Sequence, residues 1–241
     1  MNNIFKIIIQ FFLKWLAKIY LWRVQPYVII VAGTTNRHWI KEAVIEELKN
    51  KGLSVRGNRK NFNAEIGLPL SILDLPSGEG SFSGWLGILY KALKIILSPY
   101  KSAHIVLEMA IDRPEDMDYL LSIVRPNAVI LTTITMIYRE NFEDLGEIAL
   151  EYRELVKALP KDGLLLLNFD DQRIKDLAKF ASCRALTYGL NEGADYWAKN
   201  IKKITMGQQF EINGAFIKIN RFGKHHIYAK IAAHAIRSEK F

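Results

Sequence analysis

Four apolar runs set the pattern of the chain: YVIIVAG (27–33), AHIVLEMA (103–110), NAVILTTI (127–134) and GLLLLN (163–168). Short continuous runs of this kind are expected of strands buried on both faces. Between them, apolar residues recur at helical spacing over 37–51, 114–124 and 141–159. Strand and helix in alternation predict an α/β fold, a mainly parallel sheet flanked by helices. QQFEINGAFIKINRFG (208–223) alternates instead around Asn213-Gly214, a dipeptide suited to a tight turn, and predicts a small C-terminal β-hairpin region. KHHIYAKIAAHAIR (224–237) then reads as a closing helix.

The opening 23 residues, MNNIFKIIIQFFLKWLAKIYLWR, follow a different pattern. Drawn as a helix, Lys6, Gln10, Lys14 and Lys18 form one narrow polar stripe, and Ile, Phe, Leu and Trp cover the rest. Each lysine held in hydrocarbon would cost ~2.5–3.5 kcal/mol, which argues against a membrane span. No small-residue cleavage site follows the apolar run, which argues against a secretory signal. Two surroundings suit such an amphipathic helix. One is a membrane interface, with Lys6, Lys14 and Lys18 toward anionic headgroups and Trp15, Tyr20 and Trp22 at the boundary. The other is the protein's own body or a partner subunit. FSGWLGILYKALKIIL (82–97) is a second apolar helix, with Lys91 and Lys94 on its wetter side, open to the same two readings. The expected division is a helix over 1–24 and one α/β domain over 25–241.

Charge sharpens this division. Residues 1–60 hold 11 Lys and Arg against three Glu, which is the whole net charge of +8; the remainder is neutral. A basic front end on a neutral body points to an anionic partner for that end, a membrane surface or nucleic acid. No nucleic-acid motif accompanies it, so nucleic acid is not expected. Cys183 is the sole cysteine, which excludes an intrachain disulfide and reads as a buried, inert thiol.

The first apolar run leads through Gly33 into a polar loop and then an amphipathic helix, the strand–loop–helix plan of a phosphate-binding loop. A working loop needs a second glycine, a lysine and a hydroxyl; here those places read Asn36, Arg37 and His38.

Further segments resemble the Mur ligase family, in particular its D-alanyl-D-alanine-adding branch. These are NRKNFNAEIGLPLSIL (58–73), LEMAIDRPEDMDYLLSIVRPNAVILTTI (107–134), LPKDGLLLLNFDDQRI (159–174), YGLNEGADYWAKNI (188–201) and FGKHHIYAKIAAHAI (222–236). The resemblance implies the central ATPase domain of that family. There, ATP with magnesium phosphorylates a carboxylate on a UDP-muramyl peptide, and an amine displaces phosphate to form an amide. The family's UDP-binding and C-terminal ligase domains are not expected in a chain of this length.

Carried over position by position, the resemblance gives a nucleotide site with many of its groups exchanged. Gly33 and Thr34 match the family's loop. Asn36 replaces its second glycine, Arg37 its lysine and His38 its magnesium-binding hydroxyl, and Trp39 adds bulk. Glu108 matches a magnesium-binding glutamate. Thr133 stands for an asparagine, Tyr138 for a histidine near the second metal, and Tyr152 for a lysine that many members carbamylate. Asn168, Asp171 and His225 keep nucleotide-side residues, whereas His226 and Ala229 replace two amides. Asn61, Asn63 and Glu65 match the substrate side. The retained residues also have simpler readings: Asn168 to Asp171 makes a good helix entry, and Asn61 and Asn63 make good loop residues. His225-His226 lacks the Cys or carboxylate company of a zinc site.

The expectation is therefore a catalytically degenerate Mur-ligase-like protein binding Mg·ATP weakly or not at all. It would act as a membrane-associated binding or scaffold subunit in peptidoglycan precursor synthesis, cytoplasmic and peripheral on the inner face of the plasma membrane. A competing expectation is an active divergent amide ligase completed by a partner chain.

Overall fold

The computed structural model describes residues 3–58, 62, 64–78, 82–98, 103–136 and 140–239. In chain order the elements are α1 (Asn3–Val24), β1 (Tyr27–Ala32), α2 (Arg37–Asn50), β2 (Val55–Gly57), α3 (Gly67–Ile72), α4 (Phe82–Leu97), β3 (His104–Glu108), α5 (Asp116–Leu121), β4 (Ala128–Leu131), α6 (Leu145–Lys157), β5 (Leu164–Asn168), α7 (Gln172–Asp176), β6 (Arg184–Gly189), β7 (Tyr196–Ile204), β8 (Gly207–Ile212), β9 (Ala215–Ile219) and α8 (Lys224–Ser238). The strands form one nine-stranded sheet in the order β2-β3-β1-β4-β5-β6-β7-β8-β9. Pairings are parallel from β2 through β7 and antiparallel from β7 to β9.

Alternate residues of the central strands feed two cores. Val28, Ile30, Ile105, Leu107, Val129 and Leu165 belong to one, with α1, α3, α4, α5 and α6. Ile29, Val31, Val106, Ile130 and Leu166 belong to the other, with α2 and α8. Burial on both faces is why these strands are written as unbroken apolar runs. The hairpin turns where expected, with Asn213 (φ 46°) and Gly214 (φ 83°) both left-handed.

Some boundaries move inward for local reasons. α6 begins at 145 rather than 141 because the Asp144 side chain accepts from the Glu147 amide, while the Glu147 carboxylate accepts from the Glu143 amide, 2.7 Å away. α5 is shorter than the 114–124 pattern, and Glu115, the residue before it, is left-handed. β6 and β7 carry exposed polar residues, which hid them from a search for continuous apolar runs. Cys183 is half-buried rather than buried, and burial pushes its thiol up.

α1 packs on α3 and α4 through Ile9, Leu13, Ala17 and Tyr20, all buried. Three of the four residues of its polar stripe, Lys6, Gln10 and Lys14, contact the body, as the second of the two expected surroundings requires. Lys6 pairs with Glu65 at 3.4 Å, Gln10 donates to the same carboxylate at 2.6 Å, and Lys14 donates to Ser122 at 2.6 Å while lying over the Tyr119 ring. Lys18 lies over the Trp15 ring. Among the described residues, no helix is long and apolar enough to cross a membrane.

Candidate nucleotide site

The sheet order places β1 between β3 and β4, although β2 and β3 come between β1 and β4 in sequence. The carboxyl ends of such strands form the crevice where doubly wound sheets take ligands. Gly33 leaves β1, Glu108 ends β3, Thr132 and Thr133 follow β4, and Asn168 ends β5. Topology thus gathers most of the residues singled out in the sequence.

The loop keeps its backbone path. Gly33 has φ 125°, and a β-carbon there would fall 2.0 Å from Thr132 Oγ1, so only glycine fits. Asn36 takes a left-handed φ of 65° before α2, a conformation asparagine tolerates better than most residues. A side chain thereby stands where the resemblance implies a glycine. Thr34 ties the loop to the strand-β4 side: its amide and hydroxyl donate to the Thr133 carbonyl at 2.8 and 2.9 Å, and Oγ1 accepts from the Thr135 amide at 2.9 Å.

The groups that would meet a phosphate are engaged with the protein. The Arg37 guanidinium folds back and donates to the Gly33 carbonyl. Tyr152 lies fully buried against the same two residues; burial raises its phenol, and Arg37 opposes that rise. His38 Nδ1 stands 3.5 Å from Glu108 Oε1. The nearer partner of Glu108 is Lys41, whose ammonium lies 2.9 Å away and donates to the Asn58 carbonyl at 2.6 Å. Asn58 Oδ1 in turn accepts from the Glu108 amide at 2.9 Å. Lys41 is 1% exposed, and its carboxylate partner is buried. Sequence reading missed Lys41. Its signal was a lysine one turn beyond Arg37, between the buried Ile40 and Val44.

The strand-β5 residues serve the turn they sit in. Asp171 caps α7 through the Arg173 and Ile174 amides, and its other oxygen accepts from the Ile134 amide at 2.8 Å. Asn168 Oδ1 accepts from the Asp170 amide at 3.0 Å. Asp170 accepts from the Leu190 amide and the Tyr228 hydroxyl, both at 2.6 Å.

His225 reaches the loop through aromatic contacts. Trp39 has its ring centroid 5.5 Å from His225, 4.6 Å from His226 and 5.4 Å from His38, with Arg221 over its face. Burial, then His225 and Arg221, hold His226 below its ordinary value. Ala229 is buried beside Trp39 and His226 in a cleft of about 380 Å³.

Glu65 belongs elsewhere. It lines a cleft of about 490 Å³ with Lys6, Arg113, Asp116 and Asn141, and no residue from 33 to 38 contributes to that lining. Arg113 approaches Glu65 at 2.5 Å. Asn61, Asn63 and Tyr138 lie outside the described residues. Among the described residues, no group of three or more His, Cys, Asp or Glu could hold a metal ion.

Residues 89–236 match the family described as the Mur ligase middle domain. The chain belongs to the Mur ligase family. It is 28% identical over 228 residues to the UDP-N-acetylmuramoyl-tripeptide–D-alanyl-D-alanine ligase of Bacillus subtilis, covering 92% of this chain and 43% of that one. It is 24% identical over 230 residues to the Haemophilus influenzae ligase of the same name, covering 92% and 44%. The structure of a MurF ligase from Thermotoga maritima in complex with ADP matches with a TM-score of 0.74 at 23% identity, covering 93% of this chain and 48% of that one. This chain spans less than half the length of these relatives.

Proposed function

We propose that this chain is a Mur ligase middle domain that has become a binding or scaffold subunit of peptidoglycan precursor synthesis and does not ligate by itself. One observation carries this reading: the Arg37 guanidinium is bonded back to the Gly33 carbonyl, inside the loop that would cradle phosphates. The residues present do not suit Mg·ATP. The hydroxyl beside the phosphates is replaced by His38, Tyr152 cannot be carbamylated, and the buried Glu108 carboxylate already has a lysine counter-charge. Loss of a single well-placed charge-stabilising group costs about 10²–10³ in rate. Several are changed together here. A UDP-muramyl peptide remains the ligand class we assign to the Glu65 cleft, which Lys6 and Arg113 also line. The place of action that goes with this reading is the inner face of the plasma membrane.

A second reading is favoured by one fact: Gly33 and Asn36 keep the backbone turn, so α2 still offers a helix N-terminus at the loop. On that reading a partner chain would supply the missing groups of a divergent ligase. Calorimetry with Mg·ATP, followed by phosphate release with a UDP-muramyl tripeptide and D-alanyl-D-alanine, separates the two. We expect no saturable binding below millimolar nucleotide and no substrate-dependent phosphate. Micromolar binding together with substrate-dependent release would establish the ligase instead.

A further inference from the structure

We infer that α1 and α4 together form a docking surface for the headgroup layer of an anionic bilayer. The reading rests on the membrane-side placement proposed above, and is independent of the state of the phosphate loop. On α1, Ile8, Phe11, Phe12, Trp15, Ile19 and Trp22 recur at helical spacing and are all exposed, Trp22 at 79%. On α4, Leu86, Tyr90, Leu93 and Leu97 do the same, Leu97 at 75%. The two helices pack against each other, so the stripes lie on neighbouring elements. Each helix spends a different set of apolar residues on the body: Ile9, Leu13, Ala17 and Tyr20 from α1, and Trp85, Ile88, Ala92 and Ile96 from α4. The exposed residues are therefore surplus to the core. Contiguous exposed apolar surface of this kind marks an interaction site.

Charge selects the occupant. Neither helix contains an Asp or Glu, and Lys18, Arg23, Lys91 and Lys94 lie among the apolar residues. Lys18 lies over Trp15 and Lys94 over Tyr90, so both cations sit beside aromatic rings at the apolar surface. That is the arrangement of an interfacial helix, apolar below and cationic at headgroup level. A second copy fits poorly, because two cationic rims would meet. A bilayer with anionic lipid offers hydrocarbon and negative charge together, and each Lys or Arg near such a surface strengthens binding about fivefold. With no described helix long and apolar enough to cross, the pair would lie on the membrane rather than span it.

The test is flotation of the full chain with phosphatidylcholine vesicles, with and without about one third phosphatidylglycerol, alongside light scattering in solution. We expect binding at least about tenfold stronger to the anionic vesicles, weakening as salt rises. Phe11→Ser/Trp15→Ser/Leu93→Ser should lose at least about tenfold of that binding while its circular dichroism and melting stay unchanged. Lys91→Gln/Lys94→Gln should lose much of the anionic preference. Equal flotation of the wild type and the triple variant, or of the wild type on both vesicle types, would overturn the inference. A dimer that the triple variant abolishes would give the surface to a second copy and also overturn it. Substrate-dependent phosphate release would remove the scaffold reading and leave these flotation results standing.

Discussion

The two helical layers on either side of the sheet are closed in opposite ways. α2 and α8 bury their apolar stripes against Ile29, Val31 and their neighbours, and clamp each other through Glu47, which meets Lys230 at 2.5 Å and Arg237 at 3.0 Å. Their outer surface carries exposed charges such as Glu42, Glu46 and Lys49. α1 and α4 bury comparable stripes against the other side of the sheet, yet their outer surface is Phe11, Trp15, Trp22, Leu93 and Leu97 with lysines and no acid. The inward side of a helix answers to the sheet, and the outward side answers to the medium. One layer ends in charge of both signs, the other in exposed apolar side chains and cations without an acid.

The largest effect should come from the inward side of α1. Leu13 is fully buried, so Leu13→Ala should cost about 3 kcal/mol in urea unfolding, within the range for buried leucines. A loss below ~0.5 kcal/mol would mean that α1 does not dock on the body, and the contrast between layers would collapse.

An intermediate effect belongs to the polar clamp of the other layer. Glu47→Gln should cost roughly 1–2 kcal/mol at pH 7, between exposed and fully buried pairs, because Arg237 is half exposed. Its pH dependence is also distinctive. Burial acts to raise the Glu47 carboxyl, but Lys230 and Arg237 outweigh it and hold the value below the ordinary 4.5. A carboxylate held low in the fold stabilises above its unfolded value and loses that contribution as pH falls through the folded one. Melting followed from pH 6 downward should therefore show a stability loss beginning near 4.5, and the difference between wild type and Glu47→Gln should shrink along it. A constant difference would show that the clamp is not electrostatic.

The smallest effect on stability should be at the outward side of α1. Phe11 is exposed and outside the buried cluster, so Phe11→Ser should shift unfolding by no more than about 0.5 kcal/mol. A cost near that of Leu13→Ala would place Phe11 inside a core and remove the exposed layer.

Much of the fold was legible because its signals are local. Four buried strands, the hairpin at Asn213-Gly214 and the closing helix each follow from the pattern of a dozen residues or fewer. The same holds for the identity changes at Asn36, Arg37 and His38, which are read directly off a strand–loop–helix segment. β7 was hidden because its lysines face solvent, and β2 because three residues at a sheet edge carry no period. Asp171 shows the limit of reading a residue's role from its place in a pattern. Its position at a strand end suits a nucleotide, yet its oxygens are engaged with the amides of Ile134, Arg173 and Ile174.

The sequence by itself determined the α/β alternation, the lysine stripe of the first helix and the strand–loop–helix segment that carries Asn36, Arg37 and His38, because each depends on spacing within one segment. Tertiary structure decided where those features point. It turned Lys6 and Lys14 toward Glu65 and Ser122, which lie 59 and 108 residues away along the chain. It set Lys41 against Glu108, closed Arg37 onto Gly33 in front of Tyr152, and brought α1 beside α4 so that two apolar stripes share one side. Periodicity can say that a helix has a polar stripe and an apolar remainder. Which of them meets the body depends on the distant segments that fold against it, and their arrival is a property of the sheet topology rather than of the helix.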